Sequence, residues 1–335
     1  MIEVCHGDPP VNGRKGLVIP GFVNSHTHIG DTFAFPAPEM PLDRLVAHPD
    51  GYKHRILRST SREVKTSGML KSLDLMAACG VSIFSDFREE GIEGIRMLAE
   101  LLRPYHPRAV LLGRPATAEA SAGEVHALLD SSDGVGLSAC SDLPFAFLKA
   151  VSELTKDQGK LFSIHLSEAV REDVDVALSL KPDFVIHATM ATADDLTALA
   201  QSNTPVVVCP RSNEFFGLRV DIPRMLKAGL TVGLGTDNGM ICAPDMFEEM
   251  KAAYRISGAS GGMAPADVVR MATVHGRKVL KAEGNTTSGA KNQLDLTVVR
   301  VPGKDPLKEL VTTTVSGNVL ATVRGGKVRR SANWR

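Results

Sequence analysis

The sequence predicts an α/β protein that folds as a (β/α)8 or TIM barrel, and two observations carry that prediction. Eight short apolar, β-branched runs recur between residues 16 and 235. The segments between several of them place apolar residues three or four positions apart, as amphipathic helices do. Such alternation builds a parallel sheet from βα units, and eight units within one domain are typical of a closed barrel.

The individual elements follow from these runs. The predicted strands are Gly16–Asn24, Val81–Asp86, Ala109–Gly113, Val135–Ala139, Leu161–His165, Phe184–His187, Pro205–Cys209 and Thr231–Gly235. The clearest predicted helices are Gly91–Leu102, Ala146–Lys156, Asp194–Gln201 and Ile222–Ala228.

The two ends of the chain predict a second, smaller unit. Asn292–Val301, Leu310–Thr314 and Val319–Val328 alternate apolar and polar residues, the last around a Gly-Gly turn, as antiparallel strands do. Ile2–Val4 is expected to join them. We therefore expect a small β-sandwich from residues 1–19 and 285–335, beside the barrel domain at residues 20–284.

The first connection of the barrel is unusually long. It runs from Asp31 to Gly68 and contains four prolines followed by a basic stretch. A loop of this length in a compact domain is usually a lid or part of a binding site, although a solvated excursion is the alternative.

The composition restricts the kinds of partner that the protein is expected to bind. Lys plus Arg and Asp plus Glu both number 38, so the formal net charge is zero and no nucleic-acid partner is expected. No apolar run approaches the roughly 20 residues that span a bilayer, and residues 1–10 do not resemble a signal peptide. The five cysteines have no Cys-x-x-Cys spacing. We expect a cytoplasmic enzyme with a small-molecule substrate, and a homo-oligomer is compatible with the sequence.

Several predicted strands end in residues that can bind metal. His26 and His28 are one residue apart and so share one face of a strand, while His165, His187 and Asp237 follow or end later strands. In a TIM barrel these ends meet at one pocket. Imidazole and carboxylate donors predict one divalent ion, most naturally zinc, and iron, manganese or cobalt would accept the same donors. Such an ion makes hydroxide available near pH 7.

Glu168 and His187 are candidates for proton transfer in this region. Glu168 lies three residues after His165, where a carboxylate could move protons without binding the metal. Its alternative role is that of an acid at the start of the next helix. A histidine such as His187 is otherwise more often a core residue, but the neighbouring histidines favour a catalytic role.

Together these residues resemble the amidohydrolase superfamily over nearly the whole chain. The matching motifs are PGFVNSHTH at 20–28, HLSE at 165–168, His187, CPRSN at 209–213 and GLGTDN at 233–238. Two of them, His-x-x-Glu and Cys-Pro-x-Ser-Asn, are similar to the branch of cytosine, guanine, adenosine and S-adenosylhomocysteine deaminases and related chlorohydrolases.

The resemblance implies a role for each matching residue. It implies that the metal is bound by His26, His28, His165 and Asp237. It also implies that Glu168 protonates a ring nitrogen, that His187 orients the attacking hydroxide, and that Asp237 accepts a proton from the water. The predicted fourth strand lacks the lysine of binuclear members, which favours one metal ion, and the short segment before Pro20 implies a reduced sandwich.

The predicted function is hydrolytic deamination of an N-heterocycle such as a purine, pterin, pyrimidine or nucleoside, with release of ammonia through a metal-bound hydroxide. One alternative is hydrolysis of a cyclic amide, as in imidazolonepropionases. The alternative from another class is an inactive metal-binding scaffold.

Residues that contact the substrate are harder to identify from sequence. Three arginines lie just past strands and could hold an anionic group, although ordinary ion pairing is equally expected. Phenylalanines near the first two strands could stack on a ring or pack in the core. The candidates are Arg88, Arg114, Arg211, Phe33, Phe35, Phe87 and, from the CPRSN motif, Asn213.

Overall fold

The computed structural model describes residues 16–47, 49–282 and 295–332. The strands are β1 Leu17–Pro20, β2 Phe22–His28, β3 Val81–Arg88, β4 Arg108–Gly113, β5 Gly134–Leu137, β6 Leu161–Leu166, β7 Phe184–His187, β8 Val206–Val208, β9 Val232–Leu234, β10 Asp237–Asn238, β11 Leu296–Val299, β12 Val319–Arg324 and β13 Lys327–Arg330.

Nine of these strands form one parallel sheet in the order β10-β2-β3-β4-β5-β6-β7-β8-β9. The strands β9 and β10 are two parts of the eighth barrel strand. Leu234 pairs with Val208 on one side, and Asp237 pairs with Thr27 on the other. Between them, the amide of Thr236 donates a 3.0 Å hydrogen bond to the carbonyl of His26. The ring of strands is thereby closed, and the predicted TIM barrel is confirmed.

The first predicted strand is in fact two strands. Leu17–Pro20 pairs with β11 in a separate sheet, whereas Phe22–His28 enters the barrel. The break falls at Gly21, whose amide donates a 2.7 Å hydrogen bond to Asp295. A Cβ at Gly21 would lie 2.8 Å from the side chain of Ser82, so a close approach requires glycine here. As a result, the His-x-His pair lies inside a barrel strand rather than after it.

The helices are α1 Leu42–Val46, α2 Tyr52–Ser59, α3 Arg62–Ala78, α4 Gly91–Leu101, α5 Ala122–Asp130, α6 Phe145–Asp157, α7 Val174–Ser179, α8 Ala193–Gln201, α9 Pro210–Phe215, α10 Ile222–Lys227, α11 Met246–Ser257, α12 Pro265–Arg270, α13 Gly276–Val279 and α14 Pro306–Thr312. The four helices predicted from periodicity are all present. Sequence-encoded caps fix some starts, because Ser121 and Thr192 form capping boxes at α5 and α8. None of the described helices is both long and apolar enough to cross a membrane.

The barrel strands are apolar on both faces because helices cover them outside and side chains fill them inside. Alternate residues of neighbouring strands separate accordingly into two apolar clusters. One of these clusters includes Val23, Ile83, Ile186 and Phe87, and the ring of Phe87 lies 4.4 Å from that of His26. This cluster forms the apolar floor beneath the histidines.

The smaller sheet is antiparallel, with strand order β1-β11-β12-β13. A turn at Gly325 and Gly326, with φ of 51° and 76°, joins β12 to β13, as the Gly-Gly pair predicted. The strand predicted at Leu310–Thr314 is wrong, because this segment belongs mostly to α14, which Asp305 caps. Ile2–Val4 lies outside the described residues.

The long first connection is folded. After β2 it forms a 3-10 helix at Ile29–Ala34, then α1 and α2, before α3 returns to the barrel wall. Its residue Lys53 donates a 2.8 Å hydrogen bond to Asn238 at the carboxyl end of the barrel. The connection therefore packs over the strand ends, where the site lies.

Candidate active site

Three histidines and one aspartate converge at the carboxyl ends of the barrel strands. His26, His28, His165 and Asp237 each offer a ligand atom, and these atoms all lie within 4.8 Å of one another. The Oδ1 atom of Asp237 lies 3.2 Å from Nε2 of His26 and 3.7 Å from Nε2 of His28. The four residues come from β2, β6 and β10. The closure of the barrel is what brings them together.

Hydrogen bonds fix which nitrogen of two histidines faces this cluster. Nδ1 of His28 lies 2.8 Å from a carboxylate oxygen of Glu89 and 3.1 Å from the carbonyl of Phe87. Nδ1 of His165 lies 2.7 Å from the carbonyl of Leu137. These oxygens can only accept hydrogen bonds, so each Nδ1 carries the proton. Each Nε2 therefore presents its lone pair, which is the arrangement of metal-binding histidines.

His26 provides the test of whether a cation fits here. Its side chain is fully buried, its Nδ1 has no hydrogen-bond partner within the described part of the chain, and its Nε2 faces the carboxylate of Asp237 at 3.2 Å. A buried polar group without a partner is costly. Burial also lowers the pKa of His28, with a contribution from Lys53, to about 3. Neutral imidazoles beside a carboxylate are the donor set of a catalytic zinc site, so the residues present fit a divalent cation.

Asp237 has a strained backbone conformation, and two hydrogen bonds hold its carboxylate. Its φ is 60°, a left-handed conformation that aspartate adopts at some cost. The hydroxyl of Ser212 donates a 2.6 Å hydrogen bond to Oδ2, and the side-chain amide of Asn238 donates a 3.1 Å hydrogen bond from Nδ2 to Oδ1. Both bonds favour the ionised carboxylate.

Glu168 and His187 form a second group beside the first. Oε2 of Glu168 lies 3.4 Å from Nε2 of His187, and one ligand atom from each is within 4.8 Å of Asp237. Burial, reinforced by the charge of Asp237, raises the pKa of Glu168 well above its ordinary value. Burial lowers the pKa of His187 to about 4. The raised pKa of Glu168 favours its protonated carboxyl group, and the lowered pKa of His187 favours a neutral imidazole.

The structure also bears on the alternative role of Glu168. The next helix, α7, begins at Val174, and its N-cap is Asp173, which accepts a hydrogen bond from Asp175. Glu168 lies before that helix, immediately after Ser167, whose φ is 48°. Glu168 is therefore not a helix cap, and its side chain lines the cavity described next.

A cavity of about 310 Å³ opens over these residues. It is large enough for a small heterocycle. Its floor contains His28, His165, Glu168, His187 and Asp237, and its wall includes α1 and α2 from the long first connection. The long first connection was expected to be a lid or part of a binding site, and its helices line this cavity.

The predicted arginines occupy three different environments. Arg88 is completely buried, 3.3 Å from a carboxylate oxygen of Asp86 and 2.6 Å from one of Glu89. It forms internal ion pairs and does not line the cavity. Arg211 lies 3.6 Å from Glu249 and lines a neighbouring cavity.

Arg114 differs from these two. It lines the site cavity, and within the described residues its guanidinium makes no ion pair or side-chain hydrogen bond. Burial lowers its pKa despite opposing contributions from Glu89 and Asp142. It is thus a cation in the cavity wall with no ionic partner among the described residues.

The remaining candidates are less well placed. Phe33 and Phe35 line another cavity, and Phe87 belongs to the apolar cluster beneath the histidines. Asn213 is buried, and its Oδ1 accepts a 3.4 Å hydrogen bond from Thr189 while its Nδ2 is unpartnered within the described chain. None of these four lines the cavity over the histidines.

Sequence reasoning missed four residues that support the cluster, namely Glu89, Asn238, Ser212 and Lys53. Glu89 adjoins Arg88, and Asn238 and Ser212 lie within quoted motifs, so a signal for these three existed. No local pattern marks Lys53, because only the folding of the first connection brings it to the site.

A closed barrel with this cluster at its carboxyl end defines a TIM-barrel enzyme with a candidate metal centre. A sequence model described as "Amidohydrolase family" matches residues 17–329. The chain belongs to the amidohydrolase family, and it is a hydrolase of carbon–nitrogen bonds.

Several relatives are similar to this chain over most of its length. An uncharacterized protein of Methanocaldococcus jannaschii is 37% identical over 298 residues, covering 83% of this chain and 77% of the relative. A putative aminohydrolase of Methanothermobacter thermautotrophicus is 31% identical and covers 95% of this chain and 88% of the relative. A 5-methylthioadenosine/S-adenosylhomocysteine deaminase of Thermococcus onnurineus is 27% identical, covering 96% and 84%.

Solved structures share the fold. An adenosine deaminase from Xanthomonas campestris with bound zinc superposes with a TM-score of 0.79 at 19% identity, over 95% of this chain and 81% of that one. Atrazine chlorohydrolase from Arthrobacter aurescens, also complexed with zinc, gives 0.76 at 16% identity over 98% and 87%. At these identities the likeness shows the architecture alone.

Proposed function

We propose that this protein is a hydrolytic deaminase that releases ammonia from an amino-substituted N-heterocycle. The observation that carries the proposal is the position of Glu168, which lines the cavity with its carboxylate 3.4 Å from His187 and close to Asp237. A deaminase needs such a group, because the departing amine must be protonated. The names of the aminohydrolase and deaminase relatives support the same reaction.

The proposal includes one divalent cation, with zinc favoured by the donor set. His26, His28, His165 and Asp237 would hold it. When bound, such an ion lowers the pKa of water toward about 7 and so supplies a nucleophile at neutral pH.

The protein's own groups would then manage the protons. Protonated Glu168 donates its proton to a ring nitrogen of the substrate, which makes the adjacent carbon more electrophilic. Asp237 accepts a proton from the attacking water, and neutral His187 orients that water through a hydrogen bond. Glu168, now a carboxylate, takes the proton of the new hydroxyl group and gives it to the amine, so that the carbonyl forms, the carbon–nitrogen bond breaks and ammonia leaves. The proton held by Asp237 then restores protonated Glu168.

Arg114 is proposed to contact the substrate. Its guanidinium lines the cavity without a partner among the described residues, and a guanidinium binds carboxylate or phosphate oxygens bidentately. The substrate would therefore carry an oxygen-bearing, anionic substituent. Arg114→Gln should raise KM for an anionic substrate at least about tenfold, corresponding to about 1.4 kcal/mol, and should leave KM for its uncharged analogue unchanged.

The test of the reaction measures ammonia from a panel of purines, pterins, pyrimidines and nucleosides with the zinc-loaded full-length protein. Glu168→Gln should reduce ammonia release by about 10²- to 10⁴-fold while zinc stoichiometry stays that of the wild type. The matched control is Asp173→Asn, which keeps a capping side chain on α7 outside the cavity. Unchanged turnover in Glu168→Gln would contradict the proposal.

Product analysis separates the proposal from cyclic-amide hydrolysis. A deaminase releases one ammonia per turnover and keeps the ring closed. A ring-opened carboxylic acid without ammonia would instead identify an imidazolonepropionase-type reaction and overturn the deaminase assignment.

A further inference from the structure

Lys53 is a buried lysine with an unusual set of contacts. It lies on α2 in the long first connection, and its side chain is only 3% exposed. Lysine is rarely buried unless its ammonium group is paired. Here the ammonium lies 2.5 Å from Oε1 of Glu89, 2.8 Å from Oδ1 of Asn238 and 3.6 Å from Oδ2 of Asp31.

The first contact leads to His28. The oxygen of Glu89 that contacts Lys53 is the same Oε1 that accepts the hydrogen bond from His28 Nδ1 at 2.8 Å. The other oxygen of Glu89 accepts from Arg88 at 2.6 Å. Lys53 and Arg88 thus hold the carboxylate from two sides and keep it ionised behind the imidazole. A carboxylate in this position fixes the ring orientation of a metal-binding histidine.

The second contact leads to Asp237. Because Lys53 donates to Oδ1 of Asn238, the amide of Asn238 must turn its Nδ2 toward Asp237, where it donates at 3.1 Å. Without the ammonium, the side-chain amide could rotate and place its oxygen against the carboxylate. Lys53 therefore determines which end of Asn238 meets Asp237.

We propose that Lys53 is a positioning residue for the metal centre, which holds His28 through Glu89 and Asp237 through Asn238. The inference rests on the proposed metal-binding function. The first connection would then have a role in metal binding. Lys53 joins α2, which forms part of the cavity wall, to the barrel, and the same side chain orients two of the four ligands. A connection that is displaced from the barrel would loosen both ligands at once.

A matched control exists in the same connection. Lys65, on α3, is also a buried lysine and is also paired, with Glu90 at 2.5 Å and with the carbonyl of Leu57 at 3.2 Å. It contacts none of the four candidate ligands and does not line the cavity. Lys53→Met and Lys65→Met therefore remove equivalent buried ammonium groups that differ in their connection to the site.

The experiment measures zinc affinity of the full-length, metal-free proteins by competition with a chromophoric chelator. Lys53→Met should bind zinc about 10- to 100-fold more weakly than the wild type, whereas Lys65→Met should stay within about twofold. The visible spectrum of the cobalt-substituted protein should change in Lys53→Met only, since it reports the geometry of the ligands.

A double-variant cycle tests the route through Glu89. If Lys53 acts through that carboxylate, the loss caused by Lys53→Met should be smaller in a Glu89→Gln background than in the wild type. Should Lys53→Met not fold, Lys53→Gln serves in its place, with an expected loss of affinity in the same direction.

Three results would overturn the inference. The first is wild-type zinc affinity in the Lys53 variants, and the second is an equal loss of zinc affinity in the Lys53 and Lys65 variants. The third is a change of KM in the Lys53 variants without a change of zinc affinity. Failure of the proposed function is distinguishable from these, because the wild-type protein itself would then bind no zinc or release no ammonia.

Discussion

Ser212 donates a 2.6 Å hydrogen bond to Oδ2 of Asp237, and this bond joins the CPRSN segment to the last strand of the barrel. Ser212→Ala should weaken zinc binding about 10- to 100-fold by releasing one side of the carboxylate. Chelator competition measures this, with Ser202→Ala as a control, because Ser202 contacts only groups near the end of α8. Equal zinc affinity in wild type and Ser212→Ala would show that the bond does not orient Asp237.

Metal removal should lower stability through mass action. If zinc binds only the folded state, a free concentration 100 times the dissociation constant stabilises the protein by about 2.7 kcal/mol. Differential scanning fluorimetry should therefore show a higher Tm with zinc than with a chelator. His165→Ala should lose this difference, while His126→Ala, on α5 away from the cavity, should retain it. A zinc-dependent shift that survives in His165→Ala would place the ion elsewhere.

A close approach between Gly235 and His26 makes the last strand sensitive to substitution. A Cβ on Gly235 would lie 2.7 Å from Cβ of His26 and 2.8 Å from its carbonyl oxygen. Gly235→Ala should therefore destabilise the protein by about 1–3 kcal/mol and weaken zinc binding.

Gly258→Ala is the matched control, because its added Cβ would meet no atom within 4 Å. The expected change in its free energy of unfolding, measured by urea denaturation, is within about 0.5 kcal/mol. Similar stability of the two variants would contradict the steric explanation.

The ion pair between Arg171 and Asp195 predicts a pH dependence of stability. Both guanidinium contacts are 2.8 Å, and hydrogen bonding from Arg171, against the effect of burial, holds the pKa of Asp195 below its ordinary value. A depressed carboxyl pKa stabilises the folded state above the unfolded pKa of about 3.9, and this contribution is lost as pH falls through lower values.

Asp195→Asn tests this effect. At pH 7 it should lower the free energy of unfolding by about 1 kcal/mol, a modest value because Arg171 is partly exposed. Urea denaturation at several pH values should show the difference from wild type shrinking below about pH 4. A difference that is constant from pH 7 to pH 3 would exclude an ionic contribution.

The sequence predicted the barrel because each strand carries its own apolar run, and closure follows from eight such units. It also predicted which strand ends bear His165, His187 and Asp237. It did not predict the break at Gly21, because Gly16–Asn24 has the pattern of one continuous strand and the break depends on the long-range contacts of Gly21 with Ser82 and Asp295. The short run at Leu310–Thr314 fits helix or strand equally, since periodicity cannot distinguish short apolar segments.

The parts of the site that depend on long-range packing were beyond sequence reasoning. Arg88 and Arg114 both follow a predicted strand. In the structure Arg88 is buried between Asp86 and Glu89, whereas Arg114 lines the cavity unpaired among the described residues. The partners of Arg88 are its sequence neighbours, so its ion pairing could be expected from the sequence. The position of Arg114 at the cavity depends on packing that local sequence does not show. The same is true of Lys53, which is far from Asn238 in the chain but donates a hydrogen bond to it.

The most direct test of the account is a crystal structure of the zinc-loaded protein with anomalous diffraction recorded at the zinc edge. The account predicts one strong peak enclosed by the imidazoles of His26, His28 and His165 and the carboxylate of Asp237, with Glu168 and His187 beside it. No peak at this position, or a second zinc ion of equal strength in the same pocket, would contradict a single metal centre.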